Sequence, residues 1–278
     1  MALRQLALAV SVLDDIDIIP TDDGVLLSAT ADSSVHAVEV SWLDLRRALA
    51  GADPAEALGR ARVRVWLRGR RLAADLHADH LREIARPVGL PVDHPLHPGL
   101  DWVRSHVLGG ALDLGLGFVG AGPDPDEVVV IPESALAAAG VDAAPWWPTA
   151  QAYLERMGAV AAGRLVGQSV LRPIGDCDVA TLLGSRALRV ALCQEDGVGL
   201  RAAAVPMLRR GWLDLTRIDP AFTAAAAAAT SVEERGFSRP VLLTADEVGL
   251  AMQGGNPAEI VLRDVALESP HLRPVLYR

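Results

Sequence analysis

Five of the seven histidines, His77, His80, His94, His97 and His106, lie within thirty residues of chain. Two pairs, His77/His80 and His94/His97, have His-x-x-His spacing. Neutral imidazole is the commonest metal ligand, and a catalytic zinc takes three protein ligands and keeps one position open. His77, His80, His94 and His97 therefore form a candidate site for a divalent metal, with Asp93 and Asp101 at hand as carboxylate ligands or supports. The catalytic reading is a metal-dependent hydrolase. On a helix His77 and His80 share a face with Leu72, Leu76, Leu81 and Ile84, so both rings are expected to point inward. Against a metal stand three points. His94 and His97 lie in a proline-rich stretch, where an exposed imidazole needs no ligand. A buried histidine is often only hydrogen-bonded. No glutamate of the His-Glu-x-x-His kind is present to act as base.

The second candidate is "GRARVRVWLRGRR", residues 59–71, with six arginines and no acid. Of 26 basic residues these are six, and the remaining 20 face 35 acidic ones, so the charge is segregated. Val63, Val65 and Leu67 alternate with Arg62, Arg64, Trp66 and Arg68, which predicts a strand. Arg60, Arg62, Arg64 and Arg68 then share one side with Trp66. Guanidinium forks suit phosphate and carboxylate, and an interleaved indole can stack on a base. That makes an anion-binding strip, and a polyanion or nucleic-acid binder is its functional reading. The simpler reading is the wet face of an antiparallel sheet, paired with acids such as Glu39 on a neighbouring strand. Nothing else in the sequence suggests nucleic acid.

Other motifs fail on context. Gly115, Gly117 and Gly120 match Gly-x-Gly-x-x-Gly, but Pro123 and Pro125 follow where a dinucleotide site needs a helix. Asp124, Asp126 and Glu127 would repel phosphate, so no dinucleotide cofactor is expected and a glycine-rich turn is favoured. Asp14, Asp15, Asp17, Asp22 and Asp23 cluster without the spacing of a calcium loop. Ser169 in "GQSVL" lacks the second glycine of a nucleophile elbow. Cys177 lies between Asp176 and Asp178, and adjacent anions disfavour a thiolate.

Composition removes further classes. The 278 residues include no lysine, which excludes Schiff-base and P-loop lysine chemistry. The net charge of −9 makes non-specific nucleic-acid or anionic-lipid binding an unfavourable default. Two cysteines make neither a disulfide framework nor a zinc ribbon, which fits a reducing cytoplasm. The N-terminal Leu3, Leu6, Ala7, Val10 and Leu13 follow helical spacing rather than a signal-peptide pattern. No apolar run is long enough to span a membrane, so a cytoplasmic protein is expected.

The elements that must hold these residues read as follows. A first helix is followed by a hairpin of "VLLSAT" and "VHAVEVSW", then a helix over "LDLRRALAG". Asp53-Pro54-Ala55-Glu56 is a helix-start signature. After the arginine strand a helix is expected from Leu72 to Ala85, then a loop over 87–101 with four prolines. "VVVI" is a strand, "PESALAAAG" a short helix, "AAPWWP" a break, and 149–167 one long helix. "ALRVALCQ" and "VGLRAAAVPM" form a hairpin across Glu195-Asp196-Gly197. Asp219-Pro220 opens an alanine-rich helix through Arg235. "RPVLL" is a strand, and Thr244-x-x-Glu247 caps a helix ended at Gly254-Gly255. Asn256-Pro257-x-Glu259 begins a last element.

"WLDLRRALAGADPAE" (42–56) and "WLDLTRIDPAF" (212–222) share Trp-Leu-Asp-Leu-x-Arg and then Asp-Pro-Ala. A duplication would give two similar lobes, 1–120 and 165–278, joined by a strand and long helix over 121–164. The fold expected is α+β, with antiparallel hairpins packed on helices. With no convergent catalytic set, the leading functional expectation is a non-enzymatic protein. It would bind a protein partner or a copy of itself through the exposed tryptophan segments "PWWP" and "RVRVWLR". No membrane role is expected.

Overall fold

The computed structural model describes residues 3–14, 17–28, 37–49, 51–121, 128–165, 168–195 and 198–250. Among them the fold is mixed α+β, with helices and three small antiparallel sheets. No helix among the described residues is long and apolar enough to cross a membrane. The chain divides into two compact units, Met1–Arg86 with Pro95–Arg104 and Leu116–Pro148, and Pro87–His94 with Ser105–Gly115 and Thr149–Arg278.

Helix α1 (Leu3–Asp14) forms where helical spacing predicts it, with Leu6, Ala7 and Val10 buried. Strands β1 (Ile18–Pro20), β2 (Gly24–Leu27) and β3 (Val38–Ser41) follow as an antiparallel sheet. The expected hairpin pairs Gly24 with Ser41 and Leu27 with Val38. Ser41 caps the next helix, α2 (Trp42–Leu49), by accepting the Asp44 N–H at 3.1 Å.

The arginine segment corrects the expectation most sharply. Residues 59–71 are not a strand; they lie within α3 (Ala57–Asp75), a helix of 19 residues. Asp53 does not cap it: its carboxylate accepts the Ala55 N–H at 2.7 Å in a turn that precedes the helix, and the N-cap position is Glu56, with no side-chain cap bond. The buried positions Gly59, Val63, Trp66, Leu67, Arg70 and Ala73 recur at helical intervals. The alternation fails because it puts Trp66 on the wet side, yet Trp66 is buried, as is Arg70 one turn on. Arginine, leucine and alanine are also strong helix formers, and no proline interrupts the run. Arg70 donates to the Ala135 carbonyl at 3.2 Å, and Arg71 clasps Asp75 at 2.6 and 2.7 Å. Val63, Trp66 and Leu67 join Leu6, Val10, Val25, Leu27, Val40 and Leu45 in one core.

The helix expected from Leu72 to Ala85 is broken at Leu76 and His77, and α4 covers only Ala78–Ile84. Strands β4 (Ala85–Pro91), β5 (Arg104–Leu108) and β6 (Leu112–Val119) form a sheet in the order β4-β6-β5. Strand β7 (Val128–Val129) pairs with β6. Gly115 and Gly117 therefore sit within β6 rather than in a turn, while Gly120 turns the chain with φ of 68°. The acids after that motif, 124–127, lie outside the described residues. Helix α5 (Glu133–Ala138) matches "PESALAAAG". In "PWWP" both prolines are exposed, but Trp146 is half-buried. A 3-10 turn runs into α6 (Trp147–Arg164), and Trp147 is buried.

In the second unit, β8 (Val170–Leu171) and α7 (Val179–Leu183) precede α8 (Arg186–Glu195). "ALRVALCQ" is thus a helix, not a hairpin arm. Its N-terminus is capped from α6: the Glu155 carboxylate accepts the Ser185 hydroxyl at 3.0 Å and the N–H groups of Arg186 and Ala187 at 2.9 and 3.0 Å. Strands β9 (Arg201–Met207) and β10 (Arg210–Trp212) follow, then α9 (Pro220–Ala229) with Asp219 as its cap. The helix stops at Ala229, short of Arg235. Strands β11 (Val241–Leu243) and β12 (Val248–Leu250) complete a sheet of order β12-β11-β9-β10-β8. Thr244 accepts the Glu247 N–H at 3.0 Å as a cap would. The Thr244 N–H also donates to the Glu247 carbonyl at 2.9 Å, which closes a hairpin turn instead of a helix. The elements expected beyond Gly254 lie outside the described residues. Trp42 opens helix α2 whereas Trp212 ends strand β10, so the shared Trp-Leu-Asp-Leu takes two conformations.

Helix and strand assignments of 59–71 make different mutational patterns. In the helix Trp66 is 7% exposed, while Val65 is only half-buried. Trp66→Ala is therefore expected to cost about 3–5 kcal/mol in urea unfolding, and Val65→Ala clearly less. A strand with Trp66 on its wet side would give the reverse order.

Candidate functional site

The first unit holds a cavity of about 280 Å³ against α3. Its walls are Arg47 and Ala48 of α2, Arg62, Val65 and Trp66 of α3, the loop Leu96–Asp101, and Pro132. One hydrogen-bonded chain joins two of these walls, α3 and the loop, through Ser134 of α5. The Trp66 indole N–H donates to the Ser134 hydroxyl at 3.1 Å, and that hydroxyl donates to Asp101 at 2.5 Å. The other Asp101 oxygen accepts the Ser134 N–H at 2.7 Å. Asp101 thus caps the first turn of α5 and ties the loop to α3 through a single serine. Gly69 lets α3 come close beside it: a Cβ there would lie 2.6 Å from the Pro132 ring.

His97 lies in the loop and is 8% exposed. Its Nδ1 accepts the N–H of Gly99 at 2.9 Å, across a tight turn in which Gly99 has φ of 69°. Trp102 meets the imidazole edge-on, with ring centroids 5.3 Å apart. Burial lowers the His97 pKa to about 4, and the Arg104 and Arg62 guanidinium groups push it the same way. The ring is therefore neutral at physiological pH, with Nδ1 engaged inside its own loop. Arg62 itself donates to the Leu49 carbonyl at 2.8 Å. Leu100, 88% exposed, stands beside the cavity, and Arg47 is exposed with Asp44 at 3.5 Å.

The singled-out residues are partly gathered and partly scattered. Arg62, Trp66 and His97 share the cavity. Arg60, Arg64 and Arg68 recur every four residues along another face of α3, and Arg60 reaches back to the Ala55 carbonyl. His77 and His80 do not point inward: both are exposed, His77 just before α4 and His80 on it. The reason is the helix break at Leu76 and His77, whose extended backbone separates α4 from the face that continuous helical spacing assumes. His94 is buried, with its N–H on the Pro91 carbonyl at 2.9 Å. Among the described residues no group of three or more His, Cys, Asp or Glu side chains is placed to hold a metal ion. Cys177 and Cys193 are both buried, and neither is in a disulfide. Burial raises the Cys193 pKa, and its Sγ donates to the Leu243 carbonyl at 3.2 Å.

Ser134, Arg47 and Leu100 escaped sequence reasoning. The only local sign of Ser134 was its place at the start of "PESALAAAG". Its partner Asp101 is 33 residues away, and no sequence period reports such a pair. Comparison with protein-family models, with curated proteins and with solved structures gave no match for this chain.

Two outcomes follow from this geometry. Ser134→Ala strands the Trp66 N–H and one Asp101 oxygen, and should lower unfolding stability by about 1–3 kcal/mol. Trp66→Phe in that background should then cost less than it does in the wild type. His97 binds its proton near pH 4 when folded and near 6.5 when unfolded. Across that window the unfolded state holds more protons, so stability is complete above pH 6.5 and falls as pH drops toward 4. The total loss is about 3 kcal/mol, read as the difference between wild type and His97→Gln in urea titrations from pH 7 to 4.

Proposed function

We propose that this protein is a binding protein and that the α3 cavity receives an apolar anchor side chain of a protein partner. The observation that carries this reading is the convergence of Trp66, Arg62 and His97 on one small cavity. A volume of about 280 Å³ falls just below the range of small-molecule pockets, about 300–1,000 Å³, and suits one large side chain. Binding energy in protein interfaces concentrates in such anchors, especially where aromatic and arginine side chains surround them. Leu96, Leu100, Pro98, Pro132 and Val65 supply apolar walls. Arg47 and Arg62 place positive charge beside them, which favours an acidic residue next to the anchor.

The polar groups favour binding over acid–base chemistry. The Ser134 hydroxyl donates to Asp101 directly, so it has no histidine base. His97 titrates near 4, far below the pKa that suits a general base at neutral pH, and its Nδ1 is occupied by Gly99.

Peptides selected from a random displayed library on the immobilised protein should share a large apolar residue beside Asp or Glu. Leu100→Asp combined with Arg47→Glu should weaken the best of them at least tenfold in fluorescence anisotropy. Selection without an apolar consensus, or affinity unchanged in the double variant, would contradict the reading. Steeply salt-dependent oligonucleotide binding lost in Arg62→Ala/Arg64→Ala would favour the polyanion alternative instead. Stoichiometric zinc in untagged protein, lost in His94→Ala and His97→Ala, would favour the metal-dependent hydrolase.

A further inference from the structure

The second unit carries a separate and larger groove, of about 730 Å³. It lies at the C-terminal end of α6 and is crossed by the segment 168–174. Its floor is apolar: Leu165, Leu171, Val179, Leu182 and Leu188 are all buried and all line it. Its rim is polar: Arg164, Gln168, Ser169 and Arg172 are all exposed. Among the described residues neither Arg164 nor Arg172 is paired with a carboxylate. In a chain of net charge −9, two arginines left beside one apolar groove call for an explanation.

We infer that this groove binds a small amphipathic anion, an aliphatic chain ending in a carboxylate or phosphate, with the head held by Arg164 and Arg172. The size matches a small-molecule site, unlike the α3 cavity. The buried leucines and Val179 offer the apolar contact that an alkyl chain seeks. The guanidinium forks match a two- or three-oxygen head, and the Ser169 hydroxyl and Gln168 amide add neutral donors. The end of α6 opposes an anion through its dipole, but that is about half a negative charge against two full positive ones. The site is independent of the α3 cavity, so either can fail without the other.

The test is calorimetric titration of the full chain with dodecanoate, dodecyl phosphate and dodecanol, each below its aggregation limit. Binding of one or both anions at least tenfold tighter than dodecanol is expected, and their ranking identifies the head group. Arg164→Ala/Arg172→Ala should remove at least tenfold of that affinity while leaving the circular dichroism spectrum and Tm unchanged, because both side chains are exposed. Raising salt should weaken the wild type more than the double variant. No binding of either anion, equal binding of dodecanol, or affinity unchanged in the folded double variant would overturn the inference.

Discussion

The first unit depends on one short polar chain: the Trp66 indole, the Ser134 hydroxyl and the Asp101 carboxylate. Each link has a distinct structural role. Trp66 is fixed on α3 by core packing, Ser134 sits in the first turn of α5, and Asp101 ends the proline-rich loop. Ser134 is the only group of the three that both donates and accepts, so it alone can join an indole donor to a carboxylate acceptor. With the loop held there, His97 is buried beside Trp102 and kept neutral. The cavity wall is a consequence of that chain.

Arginine has two different uses in this lysine-free sequence. Arg70, Arg71 and Arg189 are buried. Arg189 donates to the carbonyls of Leu183, Gly184 and Ala245, so it joins the end of α7 to the β11–β12 turn. A planar, weakly hydrated guanidinium can satisfy several carbonyls at once, which a lysine ammonium does less well when desolvated. Burial lowers the pKa of Arg70 and Arg189. Arg47, Arg164 and Arg172, by contrast, stand at the edges of cavities and are exposed.

Legibility in the sequence followed the range of the interaction. The β2–β3 hairpin, α1, the Asp219-capped α9 and strand β11 were readable because period, cap and turn chemistry are local. The arginine segment was misread because period two and period 3.6 coincide over a few residues, and only the burial of Trp66 and Arg70 separates them. "ALRVALCQ" failed for the same reason, and its helix is capped by Glu155 from another element. Thr244 and Glu247 made the bond expected of a cap, but the strand pairing of Val241 with Leu250 decided what followed. Of the cavity, Arg62, Trp66 and His97 were visible as unusual residues. That they converge was not, because Ser134 and Asp101 meet only in the folded chain.

The most direct measurement is the titration of His97 followed by the NMR shift of its ring carbon proton, assigned by loss of the signal in His97→Gln. A ring buried against Trp102 under the Trp66–Ser134–Asp101 chain should titrate near pH 4, and Ser134→Ala should move that pKa back toward 6.5. A wild-type pKa near 6.5 would mean that the loop does not bury His97 and that the cavity does not have the walls described.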